Sequence, residues 1–232
     1  MRILALIPAR GGSQRLPGKN IRMLGGRPLI VWSVDIAKKT PEICDVLVST
    51  DDSSIADVAI SAGAIVPWLR PAEIATSTAS SIDVALHALN WYEAENGSVD
   101  GILLLQPTSP FRSELTMKNG IRLFEESEYQ TVLGVSPVNE HPMWILKQSG
   151  SYLVPFLDGK GLGTQSQDLA PLYLVNGSFY LTTPNSLRAF RSFTGDKVLP
   201  LIVESKKEAL DIDTDWDWSI AEMILTDTGD LS

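Results

Sequence analysis

The stretch ILALIPARGGSQRLPGKN (residues 3–20) joins an apolar run to a loop rich in glycine and positive charge. Residues 3–7 are apolar at every position, which is typical of a strand buried on both faces of a sheet. The loop places Arg10, Arg15 and Lys19 among glycines. Because such strands occur mainly in parallel sheets covered by helices, the stretch favours an α/β fold.

Strand-like and helix-like segments continue to alternate along the chain. Strands are predicted at 45–50, 64–69, 101–106 and 131–138, with weaker ones at 179–182 and 200–203. Helices are predicted at 28–40, 53–63, 79–97, 113–127 and 214–225. Ser53 is expected to cap the second helix and Gly63 to end it. The order predicts a three-layer α/β fold with a mostly parallel, twisted sheet.

Residues 139–175 interrupt this alternation. They are loop-rich, with several glycines and prolines, and we interpret them as an insertion or an arm that packs on a partner subunit of a homodimer. Residues 1–138 and 176–226 then form one domain, and 227–232 form a tail that is expected to fray.

Composition argues against several classes of protein. The single cysteine, Cys44, is expected to be buried and inert; it cannot form an internal disulfide, which favours the cytoplasm. No apolar run approaches the roughly 20 residues that cross a bilayer. The net charge of −9 argues against nucleic-acid binding. Residues 1–40, however, hold eight Lys or Arg and one Asp, a local charge of +7, which favours a small polyanionic ligand.

Three phosphate-binding patterns can be compared with the loop at 10–20. The dinucleotide pattern G-x-G-x-x-G is absent, and the Gly18-Lys19 pair lacks the spacing and the following hydroxyl of a P-loop. The third pattern is a looser cradle. In it, backbone N–H groups of Gly11 and Gly12 turn towards phosphate, and Arg and Lys side chains neutralise the charge.

The topology predicts which other segments meet this loop. Ligands of open parallel sheets bind beyond the carboxyl ends of the strands. Three further polar stretches fall at or near that edge: STDD (49–52), QPTSP (106–110) and DIDTD (211–215).

Six motifs in register give the chain a resemblance to a known family. They are IPARGGSQRLPGKN (7–20), VSTDD (48–52), LRPAEIATSTASS (69–81), LLLQPTSPFR (103–112), NGSFY (176–180) and DIDTDWD (211–217). Together they resemble the acylneuraminate cytidylyltransferases, which make CMP-sialic acid and related CMP-nonulosonic acids. The resemblance spans essentially the whole chain.

The resemblance implies a nucleotidyltransferase (Rossmann-like) fold, a dimerisation arm and a requirement for Mg²⁺. It implies transfer of CMP from CTP to the anomeric 2-hydroxyl of a nine-carbon 2-keto sugar acid, with release of pyrophosphate for use in lipopolysaccharide or capsule biosynthesis. The implied catalytic residues are Arg10, Lys19, Asp211 and Asp213. The implied CTP-binding residues are Ala9, Arg10, Gly11, Gly12, Ser13, Arg15, Lys19, Asn20, Arg70, Ala79 and Ser81. The implied sugar-binding residues are Gln106, Asn176, Gly177 and Tyr180.

Asp211 and Asp213 are the metal ligands that the resemblance implies. Residues i and i+2 of an extended segment point the same way, so both carboxylates can meet one hard cation. The same run could instead start the last helix, with Asp213 or Thr214 as its cap. The resemblance favours the metal, with Asp217 in a supporting position.

Three cations that are common in the family are absent from this chain. Gln14 stands for a lysine, Gln165 and Ser166 stand where an arginine is common, and Leu174 stands for another arginine. Arg15, Arg112 or a residue of a partner subunit is expected to compensate. Two alternatives stay open: a nucleotidyltransferase for another sugar or base, and a nucleotide-binding relative with little catalysis.

Overall fold

The structure is a computed structural model that describes residues 1–76, 78–157 and 161–227. Its strands are β1 (Ile3–Pro8), β2 (Met23–Leu24), β3 (Arg27–Pro28), β4 (Ile43–Ser49), β5 (Gly101–Leu104), β6 (Thr131–Pro137), β7 (Leu146–Ser149), β8 (Tyr152–Pro155), β9 (Tyr173–Thr182) and β10 (Val198–Ile202). Its helices are α1 (Leu29–Lys38), α2 (Ser53–Ser61), α3 (Ser81–Asn96), α4 (Glu114–Glu126), α5 (Pro184–Phe190) and α6 (Asp215–Asp227).

Six strands form the central sheet in the order β10-β6-β9-β5-β1-β4. Strand β9 runs antiparallel to both of its neighbours, while the other three pairings are parallel. The fold class expected from the alternating segments, a mostly parallel sheet between helices, is confirmed. The loops that follow β1, β4 and β5 therefore leave the sheet at one edge.

The side chains of β1 divide between two apolar cores, as the alternation of a strand requires. Ile3, Ala5 and Ile7 pack with residues of α1, α2 and α4 on one face. Leu4 and Leu6 pack with residues of α3 and α5 on the other face. These five side chains are fully buried, and burial of each large one stabilises the fold by about 1.5–3 kcal/mol. The central strand thus holds three layers together.

Several local predictions need correction. Asp52, not Ser53, caps α2, because its carboxylate accepts hydrogen bonds from the N–H groups of Ser54 and Ile55. Gly63 follows the end of that helix with φ +86°, as expected for a glycine that stops it. The strand expected at 64–69 is reduced to two isolated bridges.

Two further features differ from the expectations. The seven-residue helix α5 was not predicted, because PNSLRAF is too short to show a helical period. Cys44 is exposed rather than buried, and its thiol lies 3.3 Å from the carbonyl oxygen of Ile3. No helix among the described residues is long and apolar enough to cross a membrane.

The predicted arm contains the hairpin of β7 and β8. Strand β9 begins at Tyr173, so the last three residues of the expected arm (173–175) belong to this strand, which pairs with β6 through Tyr173 and Leu174. The arm is thereby anchored in the central sheet. The tail expected at 227–232 lies almost entirely outside the described residues.

We predict that Gly120→Ala destabilises the protein although alanine favours helices. A Cβ at Gly120 of α4 would lie 2.5 Å from Phe179 and 2.9 Å from Leu201. Such overpacking typically costs about 1–3 kcal/mol, more than the gain in helix propensity of about 1 kcal/mol. Thermal unfolding should show a lower Tm for this variant. Lys118→Ala, at an exposed position of the same helix, is the control, and an equal or higher Tm for Gly120→Ala would contradict the packing.

Candidate active site

A cleft of about 580 Å³ opens at the carboxyl edge of the sheet. The glycine-rich loop after β1, the QPTSP loop after β5 and the segment before α6 form its walls. Its lining contains eight of the predicted site residues: Arg10, Ser13, Arg15, Lys19, Asn20, Gln106, Asp211 and Asp213. The loop therefore meets the QPTSP and DIDTD stretches as the topology predicted, whereas the STDD stretch contacts the loop through Asp51 without lining this cleft.

Lys19 connects the two ends of the chain at this cleft. Its side chain is only 9% exposed, and its ammonium group donates hydrogen bonds to the carbonyl oxygen of Ile212 (2.7 Å) and to Asp213 Oδ1 (2.9 Å). Arg15, which is largely exposed, reaches the other oxygen of Asp213 at 3.4 Å. Two cations thus stand beside one carboxylate at the cleft wall.

A second, smaller pocket of about 200 Å³ adjoins the cleft. Arg70, Ala79 and Ser81, all predicted to contact cytidine, line it together with Thr76 and Val84. Pro8 and Arg10 line both cavities, so the two are adjacent. Ser81 is the first residue of α3 rather than its cap, which is Ser80; the Ser81 side chain is thereby left for the pocket.

Hydrogen bonds to Ser49 hold the buried side chain of Arg70 in place. Its guanidinium donates to the backbone oxygen of Ser49 and, at 3.0 Å, to the Ser49 hydroxyl. Burial lowers the pKa of Arg70, while the charge of Asp51 opposes that shift. A fixed cation therefore forms one wall of the smaller pocket.

The glycine-rich loop is tied to the protein at three points. The N–H of Ala9 donates to the Ser49 oxygen at 3.0 Å, and the N–H of Gly11 donates to Asp51 Oδ1 at 3.0 Å. The Asn20 amide donates to the Arg10 oxygen at 2.9 Å, so this group orders the loop. A Cβ at Gly12 would meet nothing within 4 Å, which leaves this part of the loop open to a ligand.

The segment around the start of α6 contains both a helix cap and two carboxylates that line the cleft. Thr214 and Asp217 form a capping box, in which Asp217 accepts from the N–H groups of Asp213 (3.0 Å) and Thr214 (2.8 Å). This cap leaves the carboxylates of Asp211 and Asp213 at the cleft. Partial burial raises the pKa of Asp211, and the negative charge of Asp213 raises it further.

The donor set suits a magnesium ion. Mg²⁺ in phosphate-transferring sites is usually held by one or two carboxylates and by phosphate oxygens. Asp211 and Asp213 supply two carboxylates next to the cations of the cleft. Within the described residues, no group of three or more His, Cys, Asp or Glu side chains is arranged as a complete metal site. The chain alone offers an incomplete shell that a phosphate ligand would complete.

The predicted sugar-binding residues lie along the QPTSP loop and β9. A Cβ at Gly177 would lie 2.8 Å from Gln106 Oε1, so these two residues are neighbours. Burial raises the pKa of Tyr180, and the charge of Asp211 raises it further. Asn176 is buried and already hydrogen-bonded: its amide donates to Ser136 Oγ at 2.9 Å and its oxygen accepts from Ser178.

Arg112 does not compensate for the missing cations. Its guanidinium is buried and donates to the carbonyl oxygens of Gln106, Ser109 and Ser178 and to the Ser33 hydroxyl. Burial lowers its pKa, and the charge of Asp211 only partly offsets that effect. Arg112 supports the backbone of the QPTSP loop, whereas Arg15, the other residue of this chain expected to compensate, lines the cleft.

Comparisons with known proteins identify the family to which the chain belongs. Residues 4–148 match the family model described as cytidylyltransferase. A CMP-N,N'-diacetyllegionaminic acid synthase of Legionella pneumophila is 38% identical over 97% of each chain. The chain belongs to the cytidylyltransferase family. The family expected from the six motifs is thus confirmed, and the chain is a nucleotidyltransferase.

Other members of the cytidylyltransferase family differ in length. A pseudaminic acid cytidylyltransferase of Campylobacter jejuni is 30% identical, over 97% of this chain and 96% of that protein. An N-acylneuraminate cytidylyltransferase of Escherichia coli is 32% identical over 95% of this chain, which spans only 51% of it. A solved CMP:2-keto-3-deoxy-manno-octonic acid synthetase complexed with CTP has a TM-score of 0.70 over 98% of this chain and all of that one; at 14% identity it supports the fold alone.

Some residues that line the cleft of this cytidylyltransferase were not singled out from the sequence. Pro107 and Thr108 line the cleft, and a hydrogen bond from Thr108 lowers the pKa of Asp211 against the effect of burial. Gln14, noted only as a missing lysine, also lines the cleft. Pro107, Thr108 and Gln14 all lie within motifs in which other residues were predicted to bind a substrate, and this position was the sequence signal for them.

We predict that Asp217→Asn destabilises this cytidylyltransferase by about 1 kcal/mol, because it weakens the capping box. Hydrogen bonds from Thr214 and the N–H of Asp213 outweigh burial and lower the pKa of Asp217 below 3.8. The charged carboxylate therefore stabilises the fold above pH 3.8, and this contribution is lost as the pH falls through the lowered folded-state pKa. Urea unfolding at pH 7 and at pH 3 should show the difference shrinking in acid.

Asp215→Asn is the matched control for this prediction. Asp215 is an adjacent acid of the same helix turn, 80% exposed and paired with Arg22 at the surface. Its loss should change the free energy of unfolding by only a few tenths of a kcal/mol. Equal effects of the two variants would show that Asp217 acts merely as a surface charge.

Proposed function

We propose that the chain transfers CMP from CTP to the anomeric 2-hydroxyl of a sialic-acid-like nonulosonic acid and releases pyrophosphate. The observation that carries the proposal is the junction of the two cavities at Arg10. A small pocket edged by Arg70, Ala79 and Ser81 adjoins a larger, cationic cleft, as a pyrimidine base followed by a triphosphate requires. The names of the relatives support the choice of CTP and of the acceptor class.

The chain's main contribution to the reaction is electrostatic. The acceptor oxygen attacks the α-phosphorus of CTP, and the bond to the β-phosphate breaks, so negative charge grows on the departing pyrophosphate. Lys19, Arg10 and Arg15 border the cleft in which that charge would develop. A bound triphosphate would draw Lys19 and Arg15 away from Asp213, because it offers more negative charge than one carboxylate. Once they contact the phosphates, these cations stabilise the charge of the transition state with little further movement.

Mg²⁺ is the proposed cofactor, held by Asp211 and Asp213. When bound, it would neutralise phosphate oxygens and orient the triphosphate. The raised pKa of Asp211 means that this carboxylate gives up its proton less readily than an exposed one, and a cation beside it favours the charged form.

We also propose a homodimer built through the arm, in the cytoplasm. The arm exposes large apolar side chains: Tyr152 is 78% exposed, Leu153 66% and Leu174 67%. Apolar surface of this extent on a short hairpin and the adjoining strand is typical of a protein–protein interface. The free thiol of Cys44 is in keeping with a reducing compartment.

The test of the function is pyrophosphate release with CTP, UTP, ATP and GTP, each combined with a panel of nonulosonic acids. We expect CTP to give the highest kcat/KM with at least one acid. A preference for another nucleotide, or for a sugar 1-phosphate, would identify a different nucleotidyltransferase. Binding of CTP without any turnover would favour a relative with little catalysis, which the exposed Leu174 in place of the family's arginine makes worth testing.

We predict that Lys19→Ala lowers kcat/KM by about 100-fold or more, because the loss of a preorganised charge beside a transferring phosphoryl group has effects of this size. Circular dichroism should remain native, since Lys19 lies at the cleft wall and its partner Asp213 can reach solvent. Lys39→Ala removes an exposed lysine outside the cleft and serves as the control. Equal activity of the two variants would remove Lys19 from the site.

We predict that Asp213→Asn raises the Mg²⁺ concentration needed for half-maximal activity by about tenfold, because one anionic ligand is lost. A Mg²⁺ titration of pyrophosphate release measures this. Asp215→Asn is the control, because Asp215 pairs with Arg22 rather than lining the cleft. An unchanged titration for Asp213→Asn would exclude it as a metal ligand.

A further inference from the structure

Ser109 of the QPTSP loop carries a fully buried hydroxyl that has no hydrogen-bond partner in the described part of the chain. Its backbone groups, in contrast, are both engaged: the N–H donates to the Gln106 oxygen at 3.2 Å, and the oxygen accepts from Arg112. A buried hydroxyl without a partner costs about 1–3 kcal/mol, so its presence calls for an explanation.

The hydroxyl lies beside the predicted acceptor pocket. The point at which a Cβ of Gly177 would stand is 3.4 Å from Ser109 Oγ and 2.8 Å from Gln106 Oε1. Gly177 has φ +76°, a conformation that favours glycine, and its missing side chain leaves a gap bordered by both polar groups. Ser109 and Gln106 therefore face a common small space.

The Gln106 side chain is the movable member of this group. Its backbone oxygen accepts from Arg112 (2.7 Å), from the Ser109 N–H and, more weakly, from the Ser33 hydroxyl (3.5 Å), so the main chain is fixed. No hydrogen bond among the described residues involves its carboxamide, which lines the cleft. A carboxamide can present either its oxygen or its NH₂ to a ligand, and only a neighbour can determine which.

We propose that Ser109 is a positioning residue for the acceptor. When the acceptor binds, the Ser109 hydroxyl donates a hydrogen bond to Gln106 Oε1, and the Gln106 NH₂ is thereby turned towards an oxygen of the sugar acid. In the complex, the Ser109 hydroxyl then has a hydrogen-bond partner. The free energy that its burial without a partner costs in the free protein is partly recovered on binding and contributes to acceptor affinity. This inference rests on the proposed function and assigns Ser109 to its sugar half.

Ser109→Ala tests the proposal through the two substrates separately. The kcat/KM for the nonulosonic acid that the unmodified chain turns over fastest should fall about tenfold, the factor that corresponds to one hydrogen bond. The KM for CTP at saturating acceptor should stay unchanged. The Tm should stay equal or rise, because the variant removes a buried polar group without a partner. A lower Tm with unchanged kinetics, or equal losses for both substrates, would overturn the proposal.

Thr182→Val is the matched control. Thr182 is also fully buried, but its hydroxyl is 2.8 Å from that of Thr131, at the end of β9 remote from the cleft. Its loss leaves Thr131 without this partner, so the Tm should fall while both substrates keep their kinetic constants. Opposite effects of the two variants on Tm and on acceptor kcat/KM would distinguish a positioning role of Ser109 from a contribution to stability alone.

A double-mutant cycle decides whether Ser109 acts through Gln106. In a Gln106→Ala background, Ser109→Ala should have no further effect on acceptor kcat/KM. Additive losses would show that Ser109 does not position Gln106. Pyrophosphate release by the unmodified chain is measured first: its absence would defeat the proposed function, whereas normal release with an unaffected Ser109→Ala variant would defeat this inference alone.

Discussion

The ion pair between Lys19 and Asp213 is the contact on which the arrangement of the site depends. The two residues are 194 positions apart, and their atoms lie 2.9 Å from each other. Their meeting brings a phosphate-binding loop from the first strand against the carboxylates that precede the last helix. Because Lys19 is almost fully buried, its charge has few partners other than Asp213, the Ile212 oxygen and a ligand in the cleft. The carboxylate of Asp213 and a phosphate group of a ligand in the cleft would therefore compete for the Lys19 ammonium group.

The acceptor side depends on a different buried cation. Arg112 has no carboxylate within salt-bridge distance among the described residues, yet it donates hydrogen bonds to three carbonyl oxygens of the loop and β9. Burial of a charge without a carboxylate partner costs several kcal/mol, and the hydrogen bonds to these buried oxygens offset that cost. The Arg112 guanidinium holds the backbone of Gln106 in a fixed position relative to that of Ser178, because it donates hydrogen bonds to both. The nucleotide side of the site thus depends on an ion pair, Lys19–Asp213, that a ligand can replace. The acceptor side depends on hydrogen bonds from one buried guanidinium to several backbone oxygens.

Sequence patterns predicted the sheet edge well and the local details less well. The apolar run of β1 required a buried strand, and the topology then required its loop to meet the QPTSP and DIDTD segments. Helix caps were harder, because Asp52 and Ser53 are both good cap residues and only the backbone geometry selects one. The role of Arg112 could not be read from the sequence either, because an arginine after a cleft-lining loop can face the ligand or the core. Asn20 lines the cleft as expected of a ligand-binding residue, and its NH₂ group also holds the loop, which the sequence did not indicate.

A crystal structure of the chain with CTP would show whether Lys19 leaves Asp213 for a phosphate group. We expect the cytosine ring in the pocket of Arg70, Ala79 and Ser81, the phosphates beside Arg10, and the Lys19 ammonium group within hydrogen-bond distance of a phosphate oxygen. Bound CTP whose phosphates lie outside the cleft, with Lys19 still engaged only by Asp213 and Ile212, would contradict this expectation.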